Sequence, residues 1–156
     1  RGGVDWTEVS DFLADSYLRS DPPEPEELSE AVSVVRAHLA DVEREIPTVR
    51  EAATLVGLAG TISTVAAVEL GLTEYDRDKI HHFRLDRTSA EDVFRTLATE
   101  PAEVRRHNPG LEPGRVDIIV GGTLILVTIM RTFDFNEMLV SEADILDGLV
   151  RSITER

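Results

Sequence analysis

Cysteine is absent from the 156 residues. That excludes a disulfide framework, a thiolate zinc site and a cysteine nucleophile together. It leaves the compartment to other grounds, on which the cytoplasm is expected. Lysine is reduced to Lys79, every other basic residue being Arg. A Schiff-base or general-base lysine therefore has one candidate, and it sits in a charged stretch where little would desolvate it. Positive charge is scarce overall: 16 basic residues face 30 acidic ones, a formal charge of −14. A field of that sign repels nucleic acid and anionic membrane, so neither is an expected partner. The longest apolar run, 116–130, is interrupted by Asp117, Gly121 and Gly122 and is too short to span a bilayer. The opening Arg1-Gly2-Gly3-Val4-Asp5-Trp6 has no apolar signal-peptide core and no initiator Met, so a piece of a longer protein is expected.

What is present is an ordinary globular composition, 42% hydrophobic and 29% charged. The length suits a single domain over 1–156, one that buries roughly 70% of its unfolded surface without staples. Val9, Phe12, Leu13 and Tyr17 are spaced as a helix. Pro22, Pro23 and Pro25 stop it. Leu28, Val32, Val35, Leu39, Val42 and Ile46 then recur at alternating steps of four and three, which predicts a long amphipathic helix. Its stripe is expected to pack on a sheet; a coiled-coil seam, and with it a homodimer, is the alternative.

Residues 53–59 read as a buried strand, and Gly60-Thr61 opens a helix closed by Gly71. The charged stretch 75–87 reads as irregular, anchored by Ile80, Phe83 and Leu85. Thr88-Ser89-Ala90-Glu91 resembles a capping box, predicting a helix from about Ser89. A short helix from Pro101 ends at Asn108-Pro109-Gly110. Residues 115–133 are apolar on nearly every face and so central to the core, as one long helix or as a strand followed by a helix. The helix is favoured on length, although two mid-helix glycines cost about 1 kcal/mol each unless close packing needs them. Residues 137–140 read as a strand, and Ser141 as the cap of a last helix carrying Ile145, Leu146, Leu149, Val150 and Ile153.

The chemically most suggestive segment is Gly57-Leu58-Ala59-Gly60-Thr61, a glycine turn between strand and helix. Gly57 and Gly60 would let backbone approach a ligand, the helix start favours phosphate, and Thr61 adds a hydroxyl. It is neither a Walker A loop nor G-x-G-x-x-G, and the residues alone leave a structural turn equally open. His81-His82 lacks metal-ligand spacing, and adjacent histidines are expected to point apart. Arg77, Lys79, Arg84 and Arg87, interleaved with Asp76, Asp78 and Asp86, read as a solvated ion-paired loop. Arg105-Arg106-His107 and Arg115 form a second basic island, surface or ligand-facing. Glu137 and Glu142 flank a strand end, as pairs of acids do by chance in so acidic a chain.

Four segments in order carry a resemblance: Leu18-Arg19-Ser20-Asp21-Pro22-Pro23; Gly57-Leu58-Ala59-Gly60-Thr61; Pro113-Gly114-Arg115-Val116-Asp117 with Gly121-Gly122; and Val140-Ser141-Glu142-Ala143-Asp144-Ile145-Leu146-Asp147-Gly148. Together they resemble the exopolyphosphatase/guanosine pentaphosphate phosphohydrolase (Ppx/GppA) family in its short actinobacterial form. The likeness runs over 15–156; residues 1–14 match poorly.

The resemblance implies an α/β fold of the actin-like superfamily: an RNase H-like lobe, helix-rich with a small sheet, and the C-terminal one of two lobes around a cleft. It implies Mg²⁺-dependent hydrolysis of the terminal phosphate of polyphosphate or of the 5′ γ-phosphate of guanosine pentaphosphate. It places Gly57, Gly60 and Thr61 at the turn facing the cleft, and Arg115 at the head of a central helix. The family's D-x-G-S-N-[ST] and D-[IV]-G-G-G-S-T-E loops and its catalytic glutamate find no match here. The resemblance therefore assigns catalysis and metal ligands to the N-terminal lobe, and this piece alone is expected to be inactive. The competing function is a non-catalytic module that senses phosphate-rich ligands or guanosine tetraphosphate.

Overall fold

A computed structural model of the chain describes residues 6–143. Helices α1 (Trp6–Ser16) and α2 (Pro25–Glu45) come first, and a 3₁₀ turn (Pro47–Glu51) leads to β1 (Leu55–Leu58) and α3 (Gly60–Glu69). Then follow α4 (Arg77–Ile80), β2 (Arg84–Asp86), α5 (Arg87–Thr99), α6 (Ala102–Arg105), a 3₁₀ turn (Pro113–Arg115), α7 (Ile119–Thr132) and β3 (Glu137–Ser141). The expected last helix lies outside the described residues.

Pro25 opens α2 at the position where a missing N–H costs nothing. Glu27 reaches back to accept the Glu24 N–H at 3.0 Å, and that bond chiefly holds its carboxyl below the ordinary value. The α2 stripe does not meet the sheet as expected. Ala31, Val35 and Leu39 pack with Val9 and Leu13 of α1 against Leu124 and Ile125 of α7. The reason lies in α7, buried on nearly every face, whose other side carries Leu126, Val127 and Met130 into a second cluster with α3 and α5. One apolar helix thus serves two cores, and α2 covers the side the sheet leaves open.

The two glycines of α7 are there for close packing. A Cβ on Gly121 would stand 3.2 Å from the Ser10 carbonyl oxygen in α1, and one on Gly122 would stand 2.5 Å from Thr61 Cγ2 in α3. The helix begins at Ile119, however, so Arg115 sits in the preceding 3₁₀ turn rather than at the helix head.

The sheet has the order β1-β3-β2, with β1 parallel and β2 antiparallel to β3. Leu55, Gly57, Met138, Val140 and Leu85 share one face by register. On β1 only Gly57 is buried; Val56 and Leu58 are 49% and 55% exposed. The expected buried strand is therefore an edge strand with an open apolar face. The stretch expected to be irregular holds α4 and β2, with Ile80 and Leu85 fully buried. Helix α5 starts at Arg87, earlier than the Thr88-based box predicts, because Asp86 is the cap: it accepts the Ser89 N–H at 2.9 Å and the Ser89 hydroxyl at 3.0 Å.

Candidate functional site

The parallel strands β1 and β3 end side by side, Leu58 opposite Ser141. The crevice beyond the carboxyl ends of parallel strands is where open α/β sheets bind ligands. Here α3 starts at that edge. Ala59, with φ 71 and ψ 179, turns the chain from strand to helix in one residue. For a residue with a Cβ that conformation costs roughly 1–3 kcal/mol. The first N–H groups of a helix have no acceptor within it, and no side chain caps those of α3. The strained turn thus delivers a helix start, with its positive dipole end, to the mouth of the crevice.

Arg115 lies over this turn. A Cβ on Gly60 would stand 2.6 Å from Arg115 Nη1 and closer still to Cζ and Nη2, so the guanidinium rests on the bare Gly60 backbone. Arg115 Nε donates to Glu112 Oε2 at 3.0 Å. The other glycine of the turn serves packing instead. A Cβ on Gly57 would stand 2.8 Å from Ile62 Cγ2 and closer to Met138 Sδ, so no side chain fits there. Thr61 turns its side chain towards Gly122 of α7. Of the four residues singled out from sequence, Gly60 and Arg115 face each other at the mouth, while Gly57 and the Thr61 side chain support the turn from behind.

The opposite wall is built around Glu142, which the sequence reading set aside as a chance acid, and around Ser63 and Tyr75, which it did not single out. Glu142, one residue past β3, accepts the Ser63 and Tyr75 hydroxyls on its two carboxylate oxygens. That carboxylate, with partial burial, pushes the Tyr75 phenol up to about 12. The Glu142 N–H donates to His81 Nδ1 at 3.1 Å, and Arg77 Nη2 donates to the Glu142 carbonyl at 3.2 Å. These residues are far apart in sequence and form no local pattern, so only the end of β3 could have pointed to them. Leu58, Gly60, Ser63, Tyr75, Glu112 and Glu142 line an open cleft of about 760 Å³.

The remaining basic residues separate by environment. Lys79 pairs with Asp76 at 3.1 Å and Arg87 with Asp134 at 3.1 Å, and Arg84 pairs with Glu137, all by exposed contacts. Arg106 pairs with Glu103 at the surface. Arg105 is only 3% exposed and donates to the carbonyls of Leu97, Glu100 and Val116. The imidazoles of His81 and His82 do not point apart: they stack with centroids 3.7 Å apart, because His82 takes φ 68. Among the described residues no group of three or more His, Cys, Asp or Glu comes together to hold a metal. No helix among them is long and apolar enough to cross a membrane.

A parallel strand pair that ends on an uncapped helix start belongs to an α/β fold with an open crevice, and the relatives narrow the class. The family model of the Ppx/GppA phosphatases matches residues 11–156, and the chain belongs to that family. Exopolyphosphatase 2 of Mycobacterium tuberculosis is 34% identical over 145 residues, 90% of this chain and 45% of that protein. The bifunctional 3-dehydroquinate synthase/phosphatase of Fusobacterium nucleatum is 34% identical over 98 residues, 62% of this chain and 14% of that protein. Among solved structures, the Aquifex aeolicus Ppx/GppA phosphatase superposes with a TM-score of 0.83 at 27% identity, covering 92% of this chain and 46% of that one. An exopolyphosphatase-like protein gives 0.85 at 27%, covering 94% and 48%. The fold is thus actin-like and helix-rich with a small three-stranded sheet, and the chain spans about half the length of the curated exopolyphosphatase it matches.

Proposed function

We propose that this chain is the C-terminal lobe of a Ppx/GppA phosphohydrolase, forming one wall of a cleft that removes the terminal phosphate of polyphosphate or the 5′ γ-phosphate of guanosine pentaphosphate. The observation that carries the reading is Arg115 laid across Gly60 at the uncapped start of α3. Uncapped backbone N–H groups and a guanidinium stand at the same turn, and together they are the kind of donor set that a phosphate dianion needs. In a lobe of formal charge −14, binding of a polyanion depends on such aimed donors rather than on net field.

Phosphoryl transfer also needs charge neutralisation and a placed water from the opposite side. The half-length match to the curated exopolyphosphatase supports an N-terminal lobe as that second wall, and the open apolar face of Val56 and Leu58 supports cover from elsewhere in the longer protein. For the Mg²⁺ that the family resemblance implies, no group of three or more His, Cys, Asp or Glu comes together among the described residues, and the reading leaves its ligands to the N-terminal lobe. What this chain's residues do is bind and orient. Arg115 and the α3 N–H groups hold the phosphate, and Glu142 fixes Ser63 and Tyr75 at the rim.

The test is phosphate release from polyphosphate and from guanosine pentaphosphate with Mg²⁺, by this chain and by the longer protein side by side. The longer protein releases phosphate and the chain alone is silent. Release by the chain alone would place the chemistry within these residues and sink the half-cleft reading.

A further inference from the structure

An arginine at the rim of an open cleft has many rotamers and only some of them aim at the start of α3. We propose that Glu112 is a positioning residue for Arg115: by accepting the Nε–H it fixes the guanidinium across Gly60 and leaves the two Nη groups for phosphate oxygens. The proposal rests on the phosphate-cradle reading above.

Three observations carry it. Glu112 precedes the 3₁₀ turn Pro113–Arg115, and its carbonyl accepts the Arg115 N–H at 2.9 Å, so backbone and side chain of the two residues are tied together. Pro113, with its fixed φ, stiffens the turn between them. The carboxylate takes Nε at 3.0 Å, while Nη2, Cζ and Nη1 fill the space a Cβ on Gly60 would need. A guanidinium is a rigid planar fork, so holding one edge aims the other. Both side chains are partly exposed, 30% for Arg115 and 57% for Glu112, and such a pair adds little to stability. An acid at the lip of an anion site also opposes the ligand electrostatically. Aim is the gain that offsets that opposition.

This sets up a test by sign. If Glu112 acted only through its charge, removing it would tighten binding of a polyanion; if it positions Arg115, removing it weakens binding. In the longer protein that carries this chain, kcat and KM for phosphate release from polyphosphate are measured for Glu112→Ala, Glu112→Gln and Arg115→Ala, with thermal melts alongside. Glu112→Ala raises KM about tenfold, the scale of one charge-assisted hydrogen bond. It changes kcat less and leaves the melting temperature near that of the parent. Glu112→Gln, whose amide oxygen still accepts from Nε, stays within about threefold of the parent KM. A KM that falls or holds in Glu112→Ala overturns the proposal. Arg115→Ala separates the two readings. If it leaves activity intact the cradle itself fails; if it abolishes activity while Glu112→Ala leaves KM unchanged, the cradle stands and only the positioning role is lost.

Discussion

The guanidinium of Arg115 fills the space in which a side chain on Gly60 would begin. The two residues are far apart in sequence, yet the bare Cα of one is the floor on which the other rests. The atoms in the way belong to the far end of a long flexible side chain, not to backbone, so a methyl group on residue 60 can push them aside. Gly60→Ala is therefore expected to change stability by less than about 1 kcal/mol, the more so because alanine is the better helix former. On the proposed reading, phosphate release by the longer protein is expected to fall about tenfold or more, because Arg115 would lose its seat. Gly60→Val falls further. An unfolding curve beside a rate separates the two effects, and an unchanged rate in both variants removes this turn from the site.

Gly110 makes the opposite case. Its φ is +84, and a Cβ there would stand 2.6 Å from the Val68 backbone nitrogen and closer to the Ala67 carbonyl, inside α3. Helix backbone cannot step aside as an arginine can. Gly110→Ala is expected to cost roughly 2–4 kcal/mol. Gly71 is the control: its φ is +60 but nothing lies within 4 Å of the added atom, so Gly71→Ala costs only the left-handed penalty, about 1 kcal/mol. Urea unfolding of both variants decides it, and equal losses would mean that contact with α3 plays no part.

Period and composition made the long elements legible, and stopped where tertiary contacts decide. The apolar coverage of 115–133 left one long helix or a strand and a helix open and favoured the helix on length, and α7 is a helix from Ile119 to Thr132. The α2 stripe announced a buried face but its expected partner, a sheet, was wrong, since a sheet and a helix take the same stripe. The strand β2 escaped because three residues carry too little pattern; what makes Arg84-Leu85-Asp86 a strand is pairing with β3, a partner more than fifty positions away. At the candidate site, the glycine turn and Arg115 were singled out as residue types. Their face-to-face contact, and the Ser63–Tyr75–Glu142 cluster across the cleft, come from the meeting of β1, α3 and β3, which no local spacing encodes.

Arg105 stood in the same basic island as Arg115, and burial separates them. Its Nε donates to the Leu97 carbonyl at 2.7 Å, Nη1 to that of Val116 at 2.9 Å and Nη2 to that of Glu100 at 2.8 Å. Asp21, 3.4 Å away, is its ion-pair partner. Burial pulls its pKa down from the ordinary value, and Asp21 opposes that pull. Arg105→Met leaves three carbonyls without their donor, at a cost of about 3 kcal/mol or more. Arg105→Lys recovers less than half of that, because a point charge cannot serve three directions that a planar fork reaches. The urea midpoints of the two variants give the measurement, with a midpoint for Arg105→Met within error of the parent as the contrary result.

Asp86 ties stability to pH. The Ser89 N–H is the chief cause that holds its carboxyl below the ordinary value, and the Ser89 hydroxyl adds to it. A carboxyl depressed in the folded state binds its proton more readily when unfolded. Its stabilisation is therefore fully present above the unfolded value of about 3.9 and is lost as pH falls through the lower folded value. Asp86→Asn keeps an oxygen to cap α5 but carries no charge to titrate, and asparagine is a good cap in its own right. At pH 7 the parent is expected to be the more stable of the two, by about 0.3–1 kcal/mol for an anion at a helix start. Towards pH 3 the gap narrows, because the parent gives up a charge that the variant never had. Unfolding free energies of both proteins at pH 7, 5, 4 and 3 test this directly, and a gap that stays constant across the series shows that the cap acts by shape and not by charge.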